Sequence, residues 1–184
     1  MRRVPKSSAG GQPLRGNAVP AMPATDPVIR PATSEDLQVL GRLGALLLRT
    51  HYEFDRLRFM APAEGVEDGY AEFLASQLHN GAAVVLVAEH GGTVVGYVYA
   101  ALEPASWKEL REASGFIHDV VVAEPQRGLG LAAALVEAAV DWLRAKGAPR
   151  VVLGTAEANL RAQRLFSRLG FRRTMVEMTR ELEP

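Results

Sequence analysis

The stretch from residue 120 to residue 135 reads VVVAEPQRGLGLAAAL. Its three valines predict a buried strand, the next residues predict a turn, and the leucines and alanines that follow predict a helix. The first amides of a helix have no partner inside the helix and carry partial positive charge. Because Gly128 and Gly130 let a ligand approach the backbone closely, this turn predicts a site for a phosphorylated ligand.

One pattern in this turn is the dinucleotide fingerprint G-x-G-x-x-G/A, which is matched by Gly128, Gly130 and Ala133. That fingerprint requires an acidic residue about 20 positions later, at the end of the next strand, to hold a ribose. The next apolar run, residues 151–155, ends without an acidic residue. The sequence context therefore disfavours a dinucleotide-binding oxidoreductase.

A second pattern, R/Q-x-x-G-x-G/A, is matched by Arg127, Gly130 and Ala132. It resembles the pyrophosphate loop of the GNAT superfamily of acyl-CoA N-acyltransferases. A later stretch, residues 159–171, reads NLRAQRLFSRLGF and is similar to the N-x-x-A-x-x-L-Y/F-x-x-x-G-F motif of the same family. Its residues alone predict an amphipathic helix that Asn159 caps and Gly170 stops. The resemblance covers about residues 28–182.

Hydrophobic periodicity predicts an alternation of strands and helices along this region. The predicted strands cover residues 28–31, 83–89, 93–102, 116–122 and 151–155, with a closing strand or pair within 172–182. The first predicted helix begins at residues 33–34 and ends within residues 51–56. The other predicted helices cover residues 67–78, 128–146 and 159–169. This order predicts an α/β (α+β) fold with a mixed central β-sheet flanked by helices. The resemblance implies a GNAT-like fold in which the fourth and fifth strands splay apart.

The chain divides at about residue 25. Residues 1–25 are basic, contain no acidic residue and are rich in proline, glycine, serine and alanine, so they predict a disordered tail. Residues 26–184 form the expected N-acetyltransferase domain, with no second domain. We expect a chain that starts at Met22 to fold as the full chain does, because termini tolerate loss unless they are packed down.

Composition excludes several classes of function. The formal net charge is zero, which gives no general attraction to nucleic acid or to an anionic membrane. There is no cysteine, and the four histidines are scattered without ligand spacing, so no metal site is expected. No apolar run approaches the roughly 20 residues of a membrane span, and the tail lacks the apolar stretch of a secretory signal. We expect a cytoplasmic protein.

The resemblance implies that acetyl-CoA is the acyl donor and that it lies in the gap between the splayed strands. Its pantetheine arm would pair with the backbone of residues 120–122, its pyrophosphate would lie on the amides of residues 127–132, and Asn159 would contact the pantetheine or the adenosine side. The implied donor-binding residues are Val120, Val121, Val122, Arg127, Gly128, Leu129, Gly130, Leu131, Ala132 and Asn159.

Acetyl transfer to a primary amine benefits from a base, because a lysine-like amine with a pKa of about 10.4 is almost fully protonated at pH 7. Strict strand alternation predicts that His118 shares a face with Val120 and Val122, and that Asp119 points the other way. The resemblance implies that His118 is this base, and a half-buried structural histidine is the alternative. Phe166 stands where many family members carry a proton-donating tyrosine.

The acceptor is expected to be a small-molecule amine or an amine of a peptide or protein, with a homodimer as a possible assembly. Its recognition is expected from acidic residues that flank the cleft, namely Glu53, Asp55, Glu103 and Glu109. The tyrosines that could replace the missing proton donor are Tyr52, Tyr97 and Tyr99. The alternative to an enzyme is an acyl-CoA-binding domain that has lost catalysis.

Overall fold

The computed structural model describes residues 26–182, so the predicted tail and the last two residues lie outside it. Its strands are β1 (Val28–Pro31), β2 (Ala83–His90), β3 (Thr93–Glu103), β4 (Ser114–Val122) and β5 (Val151–Leu153). Its helices are α1 (Leu37–Phe54), α2 (Val66–Leu78), α3 (Leu131–Ala145) and α4 (Leu160–Arg168). These elements follow the order that the hydrophobic pattern predicts.

The five strands form one mixed sheet in the order β1-β2-β3-β4-β5. The first three pairings are antiparallel, and β4 pairs with β5 in parallel. The turn between β2 and β3 is formed by Gly91 and Gly92, which both have positive φ angles (60° and 74°). Such angles favour glycine in a two-residue hairpin. The predicted fold class, a mixed sheet flanked by helices, is confirmed.

Each face of the sheet carries its own apolar core. On one face α3 packs with residues such as Leu135, Val136 and Leu143 against β2, β3 and β4. On the other face α1 and α2 cover Val87, Tyr97 and Val121, among others. The two helices approach each other closely at Gly44, where a Cβ atom would clash with the ring of Tyr70. Within residues 26–182, no helix has both the length and the apolar character needed to cross a membrane.

The prediction of a closing strand or pair within residues 172–182 is wrong. These residues form no regular secondary structure, and their side chains are exposed. Two surface ion pairs connect the segment to the domain, Arg58 with Glu177 and Arg173 with Glu157. Since β5 has only three residues, its outer edge offers few backbone groups for a further strand to pair with.

A buried carboxylate fixes the start of α1 against the sheet. Asp36 accepts two hydrogen bonds from the guanidinium of Arg30 (2.8 and 3.0 Å) and one from the backbone N–H of Thr33 (2.8 Å). Arg30 also donates to Glu89 on β2 (2.9 Å). The bonds from Arg30, followed by those from Thr33, hold the pKa of Asp36 at about 2, against an ordinary value of 3.8.

Replacing Asp36 by asparagine is expected to lower the free energy of unfolding by about 1–3 kcal/mol at pH 7, because bonds to a charged group are lost. Since the folded pKa is the lower one, the stabilisation by Asp36 is present above about pH 4 and disappears as the pH falls toward about 2. Urea unfolding across this range measures it. Glu35→Gln removes the same charge from an exposed neighbour and is the control. If Asp36→Asn and Glu35→Gln lower the free energy of unfolding equally, the stabilisation does not come from the bonds of Asp36.

Candidate active site

A gap opens where β4 and β5 stop pairing. The ladder contains three residue pairs and ends at Ile117 opposite Leu153. Beyond that point, residues 118–122 pair with β3 on one edge and, within the described part of the chain, with no strand on the other. One backbone edge of residues 118–122 therefore has no strand partner, and on that edge the carbonyl oxygen of Val122 accepts a bond from the Nε of Arg127. The early end of this pairing is compatible with the splay of the fourth and fifth strands that the sequence resemblance implies.

The glycine turn follows directly at the mouth of this gap. After a 3-10 turn (Glu124–Gln126), Gly128 and Gly130 adopt positive φ angles of 94° and 81°, and α3 begins at Leu131. A Cβ atom at either glycine would have no neighbour within 4 Å, so conformation rather than crowding selects glycine here. Within residues 26–182, the backbone amides of residues 128–133 donate to no acceptor. The result is a row of free donors at a helix N-terminus.

Arg127 ties the turn to the end of β4. Its Nε donates to the carbonyl oxygen of Val122 (3.1 Å), and its Nη1 donates to Glu124 (3.2 Å). The guanidinium is therefore held at the end of β4, where Glu124 pairs with its charge. The structure thus brings nine of the ten predicted donor-binding residues together in one segment, residues 120–122 and 127–132.

Asn159, the tenth, occupies the cap of α4. Its side-chain oxygen accepts a hydrogen bond from the N–H of Ala162 (3.1 Å), which confirms the predicted cap. The predicted stop is also confirmed, since Gly170 has a φ of 85° and Phe171 donates its N–H to the carbonyl of Phe166 (3.0 Å). The rings of Phe166 and Phe171 lie 5.9 Å apart, so Phe166 is a packing residue.

The predicted strand phase of His118 is wrong. Tyr99 pairs with Asp119 and Ala100 pairs with Ile117, so His118 is an extra residue on β4 without a partner on β3. This β-bulge breaks the alternation, because two consecutive side chains then point to the same face. His118 lies on the α1/α2 face with Asp119, whereas Val120 and Val122 face α3.

The bulge places His118 between two aromatic rings and beside a carboxylate. Its ring stacks on Phe116 (4.6 Å between centroids) and on Tyr99 (4.9 Å). Its Nε2 lies 3.0 Å from an oxygen of Glu103, and 31% of its side chain remains exposed. Because a carboxylate can only accept, Nε2 carries the proton, and Nδ1 holds the lone pair of the neutral ring. The geometry therefore presents a basic nitrogen that is oriented by a carboxylate.

A second polar group lies on the same face. The hydroxyl of Tyr97 donates to Asp119 (2.9 Å), and burial raises the pKa of Asp119 above 3.8. Burial and the nearby Asp119 charge raise the pKa of Tyr70 to about 12. His51 on α1 is close enough for its charge to act on Asp119. Sequence analysis missed this cluster, since its members come from four separate elements and only the bulge turns Asp119 toward it.

The other predicted acidic and phenolic residues have local roles. Asp55 accepts from the N–H groups of Leu57 and Arg58, and Glu109 accepts from Arg111. The hydroxyl of Tyr99 donates to Gln77 (3.2 Å). Among the residues that the structure describes, no group of three or more histidine, aspartate or glutamate side chains is arranged to hold a metal ion.

Comparisons with known proteins agree with this geometry. Residues 48–171 match the model of the acetyltransferase (GNAT) family. A mycothiol acetyltransferase from Thermobispora bispora is 38% identical over 96 residues, which are 50% of this chain and 31% of that protein. The chain thus spans about a third of that relative's length.

Solved structures share the fold. The crystal structure of a point mutant of a Bacillus halodurans protein superposes with a TM-score of 0.73 at 22% identity, over 85% of this chain and 99% of that one. An aminoglycoside N-acetyltransferase in complex with CoA gives a TM-score of 0.67 at 17% identity, over 91% and 100%.

Replacing Asp119 by asparagine is expected to stabilise the fold at pH 7. Because burial raises the folded pKa, the charge of Asp119 costs stability above its unfolded value of 3.8. The asparagine can still accept from Tyr97. Thermal melts of variant and wild type should agree below about pH 4 and diverge as the pH rises, with the variant melting higher. If Asp119→Asn has a lower melting temperature than wild type at pH 7, the charge of Asp119 does not lower the stability of the fold.

Proposed function

Because the chain belongs to the acetyltransferase (GNAT) family, we propose that it moves an acetyl group from acetyl-CoA to a primary amine by direct attack. The turn of residues 127–132 binds the donor, and His118 takes the proton of the amine. The observation that carries the proposal is the row of unpaired amides at residues 128–133, placed at the mouth of the gap between β4 and β5.

The residues present fit an acyl-CoA donor. A pyrophosphate requires several hydrogen-bond donors and positive charge, and the amides of residues 128–133 at the N-terminus of α3 supply the donors and a partial positive charge. A pantetheine arm requires backbone partners, and the open edge of β4 supplies them. Because Gly128 and Gly130 have no side chains and open space around them, phosphates can approach the backbone at these positions.

The chemistry follows from the arrangement around His118. The amine nitrogen attacks the thioester carbonyl, a C–N bond forms, and the C–S bond breaks with its electron pair on sulfur. The proton of the amine goes to Nδ1 of His118, and Glu103 at Nε2 stabilises the resulting imidazolium. The thiolate has a reference pKa of about 8.5, so it leaves without a dedicated acid. The absence of a hydroxyl at Phe166 is compatible with this route.

The same absence favours a second candidate, an acyl-CoA-binding domain without catalysis. Phe166 packs on Phe171 and has no proton to give. Both candidates bind acetyl-CoA, but only the enzyme transfers its acetyl group to an amine. Release of free thiol from acetyl-CoA, measured against a panel of amines, separates them, because the binding domain holds the donor without consuming it.

Gly130→Asp is expected to weaken acetyl-CoA binding by at least about tenfold, since it puts a carboxylate where phosphate would lie. Gly147→Asp is the matched control, because Gly147 has nearly the same φ (83° against 81°), is equally open and lies at the other end of α3. Calorimetric titration measures both variants. If they bind acetyl-CoA equally well, the donor does not lie on this turn.

His118→Ala is expected to lower kcat/KM by about 10²- to 10⁴-fold, the range for loss of a general base, while acetyl-CoA affinity stays unchanged. Part of the activity should return at high pH, where more of the amine is neutral. His79→Ala, at an exposed histidine that ends α2, is the control. A pH–rate profile decides: a His118→Ala rate equal to that of wild type across the range leaves His118 with a structural role.

A further inference from the structure

Asp119 is a largely buried carboxylate that forms no ion pair with a lysine or arginine among the described residues, although the imidazoles of His118 and His51 interact with it electrostatically. Its hydrogen-bond donor is the neutral hydroxyl of Tyr97. Withdrawing a carboxylate from water costs free energy unless a cation or several donors compensate. A bound cation would offset this cost.

The groups around Asp119 are suited to receive such a cation. The hydroxyl of Tyr97 on β3 lies 2.9 Å from Asp119, and the ring of His118, stacked on Tyr99, lies on the same face of the sheet. The surroundings thus combine a carboxylate with aromatic rings, and both are partners of an ammonium group.

The bulge sets this carboxylate beside the candidate base. His118 and Asp119 are consecutive and point to the same face, and consecutive Cα atoms lie about 3.8 Å apart. An acceptor whose reacting amine lies at His118 would therefore place a group a few carbon atoms away near Asp119. The carboxylate of Glu103 is already hydrogen-bonded to His118. Asp119 is therefore the nearby carboxylate that is available to a second ammonium group.

We propose that Asp119 determines acceptor specificity, by holding the second ammonium group of a dicationic amine while the first is acetylated at His118. The substrate class is a short aliphatic diamine, or the end of a longer polyamine. The inference rests on the proposed function, which supplies the reaction, and adds the residue that selects among amines. The second ammonium keeps its proton and its charge throughout the transfer.

The test is a binding measurement on the full chain saturated with CoA, which requires no turnover. Putrescine and butylamine, two probes of equal carbon length, are titrated calorimetrically at pH 7.5. Wild type is expected to bind putrescine at least about tenfold more tightly than butylamine. Asp119→Asn should lose this preference through weaker putrescine binding, with butylamine unchanged. Asp141→Asn, an equal charge change on the exposed surface of α3, should keep it.

Two results would overturn the inference: equal affinities for the two probes in wild type, or an unchanged preference in Asp119→Asn. A purely structural Asp119 would give the second result together with a lowered melting temperature. Failure of the proposed function is a separate observation, namely that wild type binds CoA and amines but releases no thiol from acetyl-CoA with any amine.

Discussion

The site depends on one irregularity in β4, the extra residue at His118. On one side the ladder with β3 takes in this residue as a bulge, and on the other side the pairing with β5 ends at Ile117. Bulges redirect side chains and bend the strand that carries them. In this chain the bulge turns His118 and Asp119 to one face, and the end of the β5 pairing leaves residues 118–122 without a strand partner on their outer edge.

The two faces of the sheet supply different parts of the site. The face of α3 is an apolar core, and it holds the start of that helix, with its free amides, at the end of β4. The face of α1 and α2 carries the titratable groups, including a carboxylate with a raised pKa. Such a group lowers stability and is typical of functional sites. The ion pairs of Asp36 and Arg30 stabilise the same face away from the site.

Local patterns in the sequence were sufficient for part of this account. The helix cap at Asn159, the stop at Gly170 and the glycine turn before α3 each depend on neighbouring residues, so the sequence predicts them correctly. The phase of His118 was mispredicted because alternation assumes an unbroken ladder. The contact of Glu103 with His118 and the bond of Tyr97 to Asp119 join residues 15 and 22 positions apart, and no periodic pattern encodes them.

A crystal structure of the protein with CoA is the most direct test of the central claim that the gap beside β4 holds the acyl donor. The account predicts pyrophosphate oxygens within hydrogen-bond distance of the amides of residues 128–133. It also predicts a pantetheine arm along the open edge of residues 118–122, with its sulfur at the end that carries His118. A CoA molecule bound away from this turn, or a fifth strand closed against that edge, would contradict the account.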